Sequence, residues 1–301
     1  MEHLLKLLDC SQEEILSVLE LADQLKYERK HHIPHPLLAG KSIGLIFQKS
    51  STRTRVSFET GMFQLGGQAL FLSSRDLQIG RGEPVQDTAR VLSRYLDGIM
   101  IRTFEQKEVE DFARYGSVPV INGLTDFCHP CQILADLMTI REYKGSFDGL
   151  KMCFIGDGNN MMNSLIVGCL KVGMAVSVAC PEGYRPPQEI LDFAGAYDCF
   201  ELTDDPLTAA KDADVVITDV WTSMGQEEER AAREKAFAGY CVDDRIMAAA
   251  KPDAIVQHCL PAHRGEEITE AVFEANAAPI FDEAENRLHA QKAVMVMLMK
   301  D

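Results

Sequence analysis

Basic residues are scarce in this 301-residue sequence. It has 30 lysines and arginines against 46 aspartates and glutamates, which gives a net charge of −16 and an isoelectric point of about 4.9. Proteins that bind nucleic acids or anionic membranes usually present an excess of positive charge. We therefore expect no nucleic acid and no membrane among the partners. An anionic substrate would have to be bound by a local group of arginines.

Long hydrophobic runs are missing as well. No run approaches the roughly 20 apolar residues that a membrane-spanning helix needs. The first residues, Met1 to Lys6, lack the basic segment and apolar core of a secretory signal. We therefore expect a cytoplasmic protein. A hydrophobic content of 46% and a charged content of 25% are typical of one large or two medium folded domains.

The nine cysteines are odd in number and scattered, which favours reduced thiols over a disulfide framework. Cys128 and Cys131 form a C-x-x-C pair at a predicted helix start, which is one arrangement of a thiol–disulfide redox site. A zinc site would need a second such pair, and the sequence has none. Prolines interrupt the three histidines at 31, 32 and 35, so we expect no metal there either.

A complete dinucleotide-binding fingerprint is also absent. Gly156-Asp157-Gly158 follows a predicted strand, but Met161 stands where the third glycine of G-x-G-x-x-G belongs. This argues against a nicotinamide-dependent dehydrogenase. No short-period repeat is visible.

The hydrophobic pattern instead predicts an alternation of strands and helices that occurs twice. Strands are predicted at 42–47, 68–72, 98–103, 118–121, 151–156, 175–179, 214–219 and 254–261, with a terminal helix at 290–300. This repeated alternation predicts an α/β protein of two Rossmann-like domains, each a parallel sheet flanked by helices. Ligands of such sheets bind at the carboxyl ends of strands, so we expect the active site there, in the cleft between the domains.

The segment Ser50 to Arg55 lies between the first strand and the following helix. Free N–H groups at a helix start, the positive end of the helix dipole and hydroxyl groups all suit a bound phosphate. Arg53 and Arg55 would add forked donors, although an N-cap beside two solvated arginines gives the same pattern. Arg102, near the end of the 98–103 strand, is either a ligand contact or a solvated edge residue.

Four motifs, in order along the chain, resemble the aspartate/ornithine carbamoyltransferase family, on its ornithine branch. They are Ser51–Arg55, the H-P-x-Q segment His129–Gln132, the D-x-W-x-S-M-G segment Asp219–Gly225, and the H-C-L-P segment His258–Pro261. The resemblance implies transfer of the carbamoyl group from carbamoyl phosphate to the δ-amine of L-ornithine, in arginine biosynthesis. It also implies a homotrimer without metal or organic cofactor.

The resemblance also implies a role for particular residues. The catalytic residues would be Arg102, His129 and Cys259. Carbamoyl phosphate would be bound by Ser51, Thr52, Arg53, Thr54, Gln78, Arg102, His129, Gln132, Cys259, Leu260 and Arg287. Ornithine would be bound by Asn160, Asp219, Ser223 and Met224. The carbamoyl phosphate domain would span 1–145 and include the C-terminal helix, about 288–301, and the ornithine domain would span 146–287.

One segment departs from many relatives. They carry a lysine in the loop after the position of Gln78, and in the aspartate branch this lysine reaches a neighbouring subunit's site, whereas this chain has Arg81-Gly82. A contribution across subunits is therefore left open.

Several functions remain open at this stage. Within the family the acceptor could be aspartate, an N-acylated ornithine or putrescine, although Asp219 suits the α-ammonium group of ornithine. Outside the reaction, the chain could be a redox protein that uses Cys128 and Cys131, or a non-catalytic binding protein of the same fold.

Overall fold

The computed structural model describes residues 1–222 and 227–300. The chain forms two compact units. Unit 1 comprises Met1–Met138 and Glu285–Asp301, and unit 2 comprises Thr139–Ala284. Among the described residues, no helix is both long and apolar enough to cross a membrane.

Unit 1 contains a four-stranded parallel sheet. Its strands are β1 (Ser42–Phe47), β2 (Gln68–Ser73), β3 (Gly98–Arg102) and β4 (Val120–Leu124), in the order β2-β1-β3-β4. The helices are α1 (Gln12–Lys30), α2 (Thr52–Gln64), α3 (Val85–Leu92), α4 (Gln106–Tyr115) and the first part of α5 (Pro130–Lys144). Parallel strands require such crossover helices, because each strand must start again at the same edge of the sheet.

Local sequence explains the elements of unit 1. Ser11 and Glu14 form a capping box at the start of α1. All residues of β3 are buried, as are all but the first of β1, which accounts for their continuous apolar sequences. Ile46, Ile99 and Ile101 of these strands join residues of α3 and α4 in one hydrophobic cluster.

Unit 2 contains a five-stranded parallel sheet in the order β7-β6-β5-β8-β9. The strands are β5 (Lys151–Ile155), β6 (Ala175–Ala179), β7 (Phe200–Thr203), β8 (Val215–Thr218) and β9 (Ile255–His258). The helices are α6 (Asn160–Lys171), α7 (Gln188–Ala194), α8 (Pro206–Ala210), α9 (Arg230–Ala236), α10 (Asp244–Ala249) and α11 (Glu270–Ala275). The helix α12 (Ala277–Met299) begins in this unit and ends in unit 1.

The predicted fold class is confirmed, because both sheets are parallel and flanked by helices. Every predicted strand is present, although β7 and the short helices α8, α10 and α11 were not predicted. The prediction of a terminal helix at 290–300 was wrong at its start, because α12 begins at Ala277. Its first half carries buried polar side chains such as Glu283 and Asn286, which interrupt the apolar periodicity that identifies a helix.

Each sheet has a point where the strand order reverses. In unit 1 the chain proceeds from β1 to β2 on one side and returns to β3 on the other, so the reversal lies between β1 and β3. In unit 2 it lies between β5 and β8. Ligands of open α/β sheets bind beside such switch points, at the carboxyl ends of the strands.

Candidate active site

The predicted phosphate turn is the first turn of a helix. Ser51 is the N-cap of α2, and its Oγ accepts a hydrogen bond from the N–H of Thr54 at 3.2 Å. The helix begins at Thr52, four residues earlier than the sequence pattern indicated, so the side chains of Thr52 and Arg53 lie in its exposed first turn. The positive end of the helix dipole is therefore present at this position.

Thr54 is the centre of the polar cluster in unit 1. Its buried Oγ1 accepts hydrogen bonds from Arg102 Nη1 at 3.4 Å and from Arg287 Nη2 at 3.1 Å, and it lies 3.1 Å from Ser51 Oγ. Arg102 ends β3 beside the switch point, and Arg287 comes from α12. The solvated-edge interpretation of Arg102 was wrong, because its side chain is buried in this cluster.

Arg55 lies in a different environment. Its Nε forms an ion pair with Glu59 Oε1 at 3.0 Å, and its guanidinium lies 3.7 Å from the centre of the Phe71 ring. Glu59 is in reach because residues four apart share a face of a helix, whereas Phe71 belongs to β2. The arginines that converge on Thr54 are therefore Arg102 and Arg287.

His129, just before α5, and Gln132, in its first turn, complete this cluster. Burial, and then the charges of Arg287, Arg102 and Arg53, hold the pKa of His129 well below its usual value, so the imidazole is neutral at pH 7. Gln132 accepts a hydrogen bond from Arg287 Nη1 at 2.7 Å and donates one to Asp136 at 2.8 Å. A neutral histidine beside arginines can donate a hydrogen bond to a developing oxyanion.

Gln78 lies apart from the hydrogen bonds that converge on Thr54. Gln78 is exposed at the start of a 3-10 turn, Gln78–Arg81, and takes part in none of the hydrogen bonds around Thr54.

Unit 2 brings together two of its predicted site residues. Asp219, which follows β8, is buried, and its Oδ1 accepts a hydrogen bond from Cys259 Sγ at 3.1 Å. Its Oδ2 accepts one from Asn159 Nδ2 at 2.9 Å. Asn160 is the first residue of α6, next to this group. Ser223 and Met224 lie outside the described residues.

Asn159 was missed by the motif analysis. Its Oδ1 caps α6 by accepting hydrogen bonds from the N–H groups of Met161 at 2.9 Å and Met162 at 3.2 Å. The same side chain thus fixes the helix start and holds Asp219. The sequence pattern predicted a helix from Met161, which would make Asn160 the cap, but α6 begins one residue earlier and Asn159 caps it.

Asp157 and Arg233 form a second feature that the sequence did not indicate. Arg233 Nη1 lies 2.7 Å from Asp157 Oδ2 and donates to the carbonyl oxygen of Trp221 at 3.0 Å. Burial raises the pKa of Asp157, and the charge of Arg233 opposes this shift. Gly158 lies against Tyr184, where a Cβ would come within 2.4 Å of the carbonyl oxygen. Close backbone packing therefore accounts for that glycine of the incomplete fingerprint.

The H-C-L-P segment forms a tightly held elbow after β9. Leu260 has a φ of 60°, in the region that favours glycine, and a cis peptide bond joins it to Pro261. Its N–H donates to His258 Nδ1 at 2.9 Å, and His258 Nε2 lies 3.0 Å from Glu267 Oε1. Because Nδ1 accepts, Nε2 carries the proton and donates to Glu267. These bonds orient Cys259 toward Asp219.

The clusters that resemble metal sites have other partners. Asp219, His258 and Cys259 offer ligand atoms within 4.8 Å of one another, but both ring nitrogens of His258 are engaged in the elbow. In a second group, His263, Glu266 and Glu267, Glu266 pairs with Arg230 at 2.6 Å. Neither group presents a ready set of free ligands.

The C-x-x-C pair has the wrong environment for redox chemistry. Cys128 and Cys131 are buried, and burial raises the pKa of each thiol to about 12. A redox cysteine needs an accessible thiol with a lowered pKa, because the thiolate is the nucleophile. The redox interpretation is therefore wrong.

Comparison with known proteins agrees with this geometry. The carbamoyl-phosphate binding domain of aspartate/ornithine carbamoyltransferases matches residues 2–142, and the Asp/Orn binding domain matches residues 148–298. An ornithine carbamoyltransferase of Geobacter sulfurreducens is 57% identical over 300 residues, which is 99% of each chain.

Solved structures give the same result. The ornithine carbamoyltransferase of Pyrococcus furiosus has a TM-score of 0.95 at 53% identity, covering 99% of this chain and 97% of its own. The anabolic enzyme of Campylobacter jejuni has a TM-score of 0.94 at 46% identity, covering 99% of each chain. The four motifs thus predicted the family correctly. This chain belongs to the aspartate/ornithine carbamoyltransferase family and is a carbamoyltransferase.

Proposed function

We propose that this chain transfers the carbamoyl group of carbamoyl phosphate to the δ-amine of L-ornithine. The products would be L-citrulline and phosphate, and the pathway would be arginine biosynthesis. The observation that carries the proposal is the convergence of Arg102 and Arg287 on Thr54 beside a neutral His129. The name of the Campylobacter jejuni relative, an anabolic enzyme, supports the direction of the reaction.

Carbamoyl phosphate would bind in unit 1. Its phosphate would lie at the first turn of α2, beside the positive end of the helix dipole, and would contact Ser51, Thr52, Arg53 and Thr54. Arg102 and His129 would donate to the carbonyl oxygen, with help from Thr54. Gln132 would orient the carbamoyl amide. Gln78, and Arg287 on α12, would contact the same ligand.

Ornithine would bind in unit 2. Asp219 would pair with the α-ammonium group, and Asn160 would hold the α-carboxylate. Ser223 and Met224 would also contact ornithine. Cys259 and the carbonyl of Leu260 would lie beside the δ-amine. We propose accordingly that 1–145 with 288–301 is the carbamoyl phosphate domain and that 146–287 is the ornithine domain.

The chemical step needs no dedicated base. The neutral δ-amine attacks the carbonyl carbon, a C–N bond forms, and the C–O bond to phosphate breaks. An alkyl ammonium group has a pKa of about 10.4, so the site must select or generate the neutral amine. The departing phosphate can accept the proton that the new C–N bond releases. Orientation of the two reactants and the donors around the oxyanion supply the rate enhancement.

The acceptor is the part of the proposal that an assay must decide. Aspartate would need cations for its second carboxylate, whereas unit 2 offers the carboxylate of Asp219. N-acetylornithine and putrescine have no α-ammonium group for that carboxylate to bind. We expect carbamoyl phosphate to be consumed with ornithine and not with the other three compounds. Turnover with another acceptor alone would leave the unit 1 assignments standing and contradict those of Asp219, Ser223 and Met224.

We also propose a homotrimer in the cytoplasm. The edge strand β2 exposes Leu70 and Phe71, and Phe63 of α2 is 78% exposed. An unpaired, apolar edge usually marks an interface. Light scattering should give three times the chain mass of 33.5 kDa. Phe63→Glu should shift the protein toward smaller species, and Phe281→Glu, at a 55% exposed position outside this patch, should not.

A further inference from the structure

Gln291 is a buried residue of α12 that none of the motifs includes. It lies one helical turn after Arg287. One end of its side-chain amide is 2.6 Å from Ser57 Oγ. The other end is 2.9 Å from Arg287 Nη2 and 3.0 Å from Arg287 Nε. A guanidinium can only donate hydrogen bonds, so the amide oxygen faces Arg287 and the NH2 group faces Ser57.

Ser57 continues this connection to the phosphate turn. It lies on α2, one turn after Arg53, and its Oγ donates to the carbonyl oxygen of Arg53 at 2.7 Å. The same Oγ can accept a hydrogen bond from the NH2 group of Gln291. Two consecutive hydrogen bonds, from Gln291 to Ser57 and from Ser57 to the Arg53 carbonyl, therefore connect α12 to the first turn of α2.

The amide oxygen of Gln291 fixes the orientation of Arg287. With Nε and Nη2 directed at one oxygen, the planar guanidinium is held along one side and cannot rotate about its last bonds. In this orientation Nη1 reaches Gln132 Oε1 at 2.7 Å and Nη2 reaches Thr54 Oγ1 at 3.1 Å. The amide therefore orients the arginine and the helix start at the same time.

We propose that Gln291 is a positioning residue for the carbamoyl phosphate half of the reaction. It sets the plane of the Arg287 guanidinium relative to Thr54, and through Ser57 it holds the first turn of α2 at a fixed distance from α12. The inference rests on the proposed assignment of this turn to carbamoyl phosphate.

Three variants test it. Gln291→Leu removes both ends of the amide at similar volume. Gln291→Glu keeps an acceptor for Arg287, and it keeps the link to α2 if the single hydroxyl proton of Ser57 turns from the Arg53 carbonyl to the new carboxylate. Gln64→Leu is the matched control, because Gln64 also joins α2 to α12, through Lys292 Nζ at 3.1 Å, and has no hydrogen bond to Arg287. For each protein we would measure kcat, the KM of both substrates, the affinity for inorganic phosphate, and Tm.

A positioning role predicts that the KM values of the two substrates change by different amounts. Hydrogen bonds to charged groups are strong enough that Gln291→Leu should raise the KM of carbamoyl phosphate and the Kd of phosphate by roughly tenfold or more. The KM of ornithine should change by less than about twofold, because the affected contacts all lie in unit 1. Gln291→Glu should recover most of the loss. Gln64→Leu should lower Tm without a change in the KM of carbamoyl phosphate.

Other results would overturn the inference. A Gln291→Leu protein that loses Tm but keeps its affinity for carbamoyl phosphate would show that the residue is merely structural, and so would a Gln291→Glu protein no better than Gln291→Leu. If Gln291→Leu does not fold, Ser57→Ala decides: the KM of carbamoyl phosphate should rise, and an unchanged KM contradicts the proposal.

The phosphate measurement separates this inference from the proposed function. If the unmodified protein binds inorganic phosphate but does not carbamoylate ornithine, the acceptor is wrong, and the phosphate affinities of the variants still decide the role of Gln291. If it binds no phosphate, both proposals fail.

Discussion

The two units place groups of opposite charge at equivalent points of similar sheets. In unit 1, the reversal between β1 and β3 carries Arg102, with Arg287 converging on the same Thr54. In unit 2, the reversal between β5 and β8 carries Asp219 and Asn159. Sheet topology thus fixes where a ligand can bind, and side chains fix its charge. A dianion suits the first group and an ammonium group the second.

The histidines add to this difference. His129 in unit 1 is kept neutral by burial and by the surrounding arginines. His258 in unit 2 is engaged on both ring nitrogens and supports the elbow that carries Cys259. A neutral His129 is suited to donate a hydrogen bond to a ligand, as proposed, whereas His258 holds the backbone of the elbow.

Removing an arginine from unit 1 should have the largest effect. Arg102→Ala should lower kcat by a factor of roughly 10² to 10³, because the variant loses the group that we propose donates to the developing oxyanion. Steady-state assays of citrulline formation would measure this. Arg90→Ala is the control, since Arg90 is exposed and its contacts are with Asp87, at 3.4 Å, and with the ring of Tyr115. A kcat close to that of the control would contradict the role of Arg102.

Changing the carboxylate of unit 2 should affect the other substrate. Asp219→Asn should lower kcat/KM for ornithine roughly 100-fold, because the buried carboxylate that we propose pairs with the α-ammonium group loses its charge. The KM of carbamoyl phosphate should stay near its original value. Asp192→Asn, at an exposed position, serves as the control. If both KM values rise together, the charge contrast between the units does not divide the substrates as proposed.

The histidines of unit 1 predict how stability depends on pH. Burial lowers the pKa of His289 from 6.5 to about 4, and the pKa values of His35 and His129 are lowered as well. Between these values and 6.5 the unfolded chain binds more protons than the folded chain. The free energy of unfolding should therefore be highest above pH 6.5 and fall as the pH decreases toward 4.

Urea unfolding at pH 5 and pH 7, at one protein concentration, would measure this dependence. In His289→Gln the difference between the two pH values should be smaller. Gln12→Ala, at an exposed position without a titratable group, should leave the difference unchanged. An equal pH dependence in the His289 variant and the unmodified protein would contradict the assignment.

The smallest effect is expected for the buried cysteines. Cys131→Ser should keep kcat within about twofold, because a thiol with a raised pKa takes no part in the chemistry. The new hydroxyl can still donate to the carbonyl of Asn122, which Cys131 Sγ contacts at 3.4 Å. Cys153→Ser provides a matched buried change in unit 2. Loss of activity in Cys131→Ser alone would reopen the redox interpretation.

The sequence by itself determined the features that depend on neighbouring residues. Alternation of apolar segments predicted the parallel sheets, because the periods of strands and helices are local properties. Ser51 and Thr54 could be identified because an N-cap acts within one turn of its own helix. The four motifs gave the family for the same reason, since each is a short segment at the end of a strand or the start of a helix.

Only the tertiary structure decided which distant residues meet. Arg287 reaches Thr54 across 233 positions, and Asn159 reaches Asp219 across 60. No local pattern encodes such pairs. The start of α12 and the hydrogen bonds between Gln291 and Arg287 could not be predicted for the same reason. The polar residues of α12 are buried by partners from elsewhere in the chain. The lowered pKa of His129 is also a tertiary property, since it results from burial and from three arginines brought together by the fold.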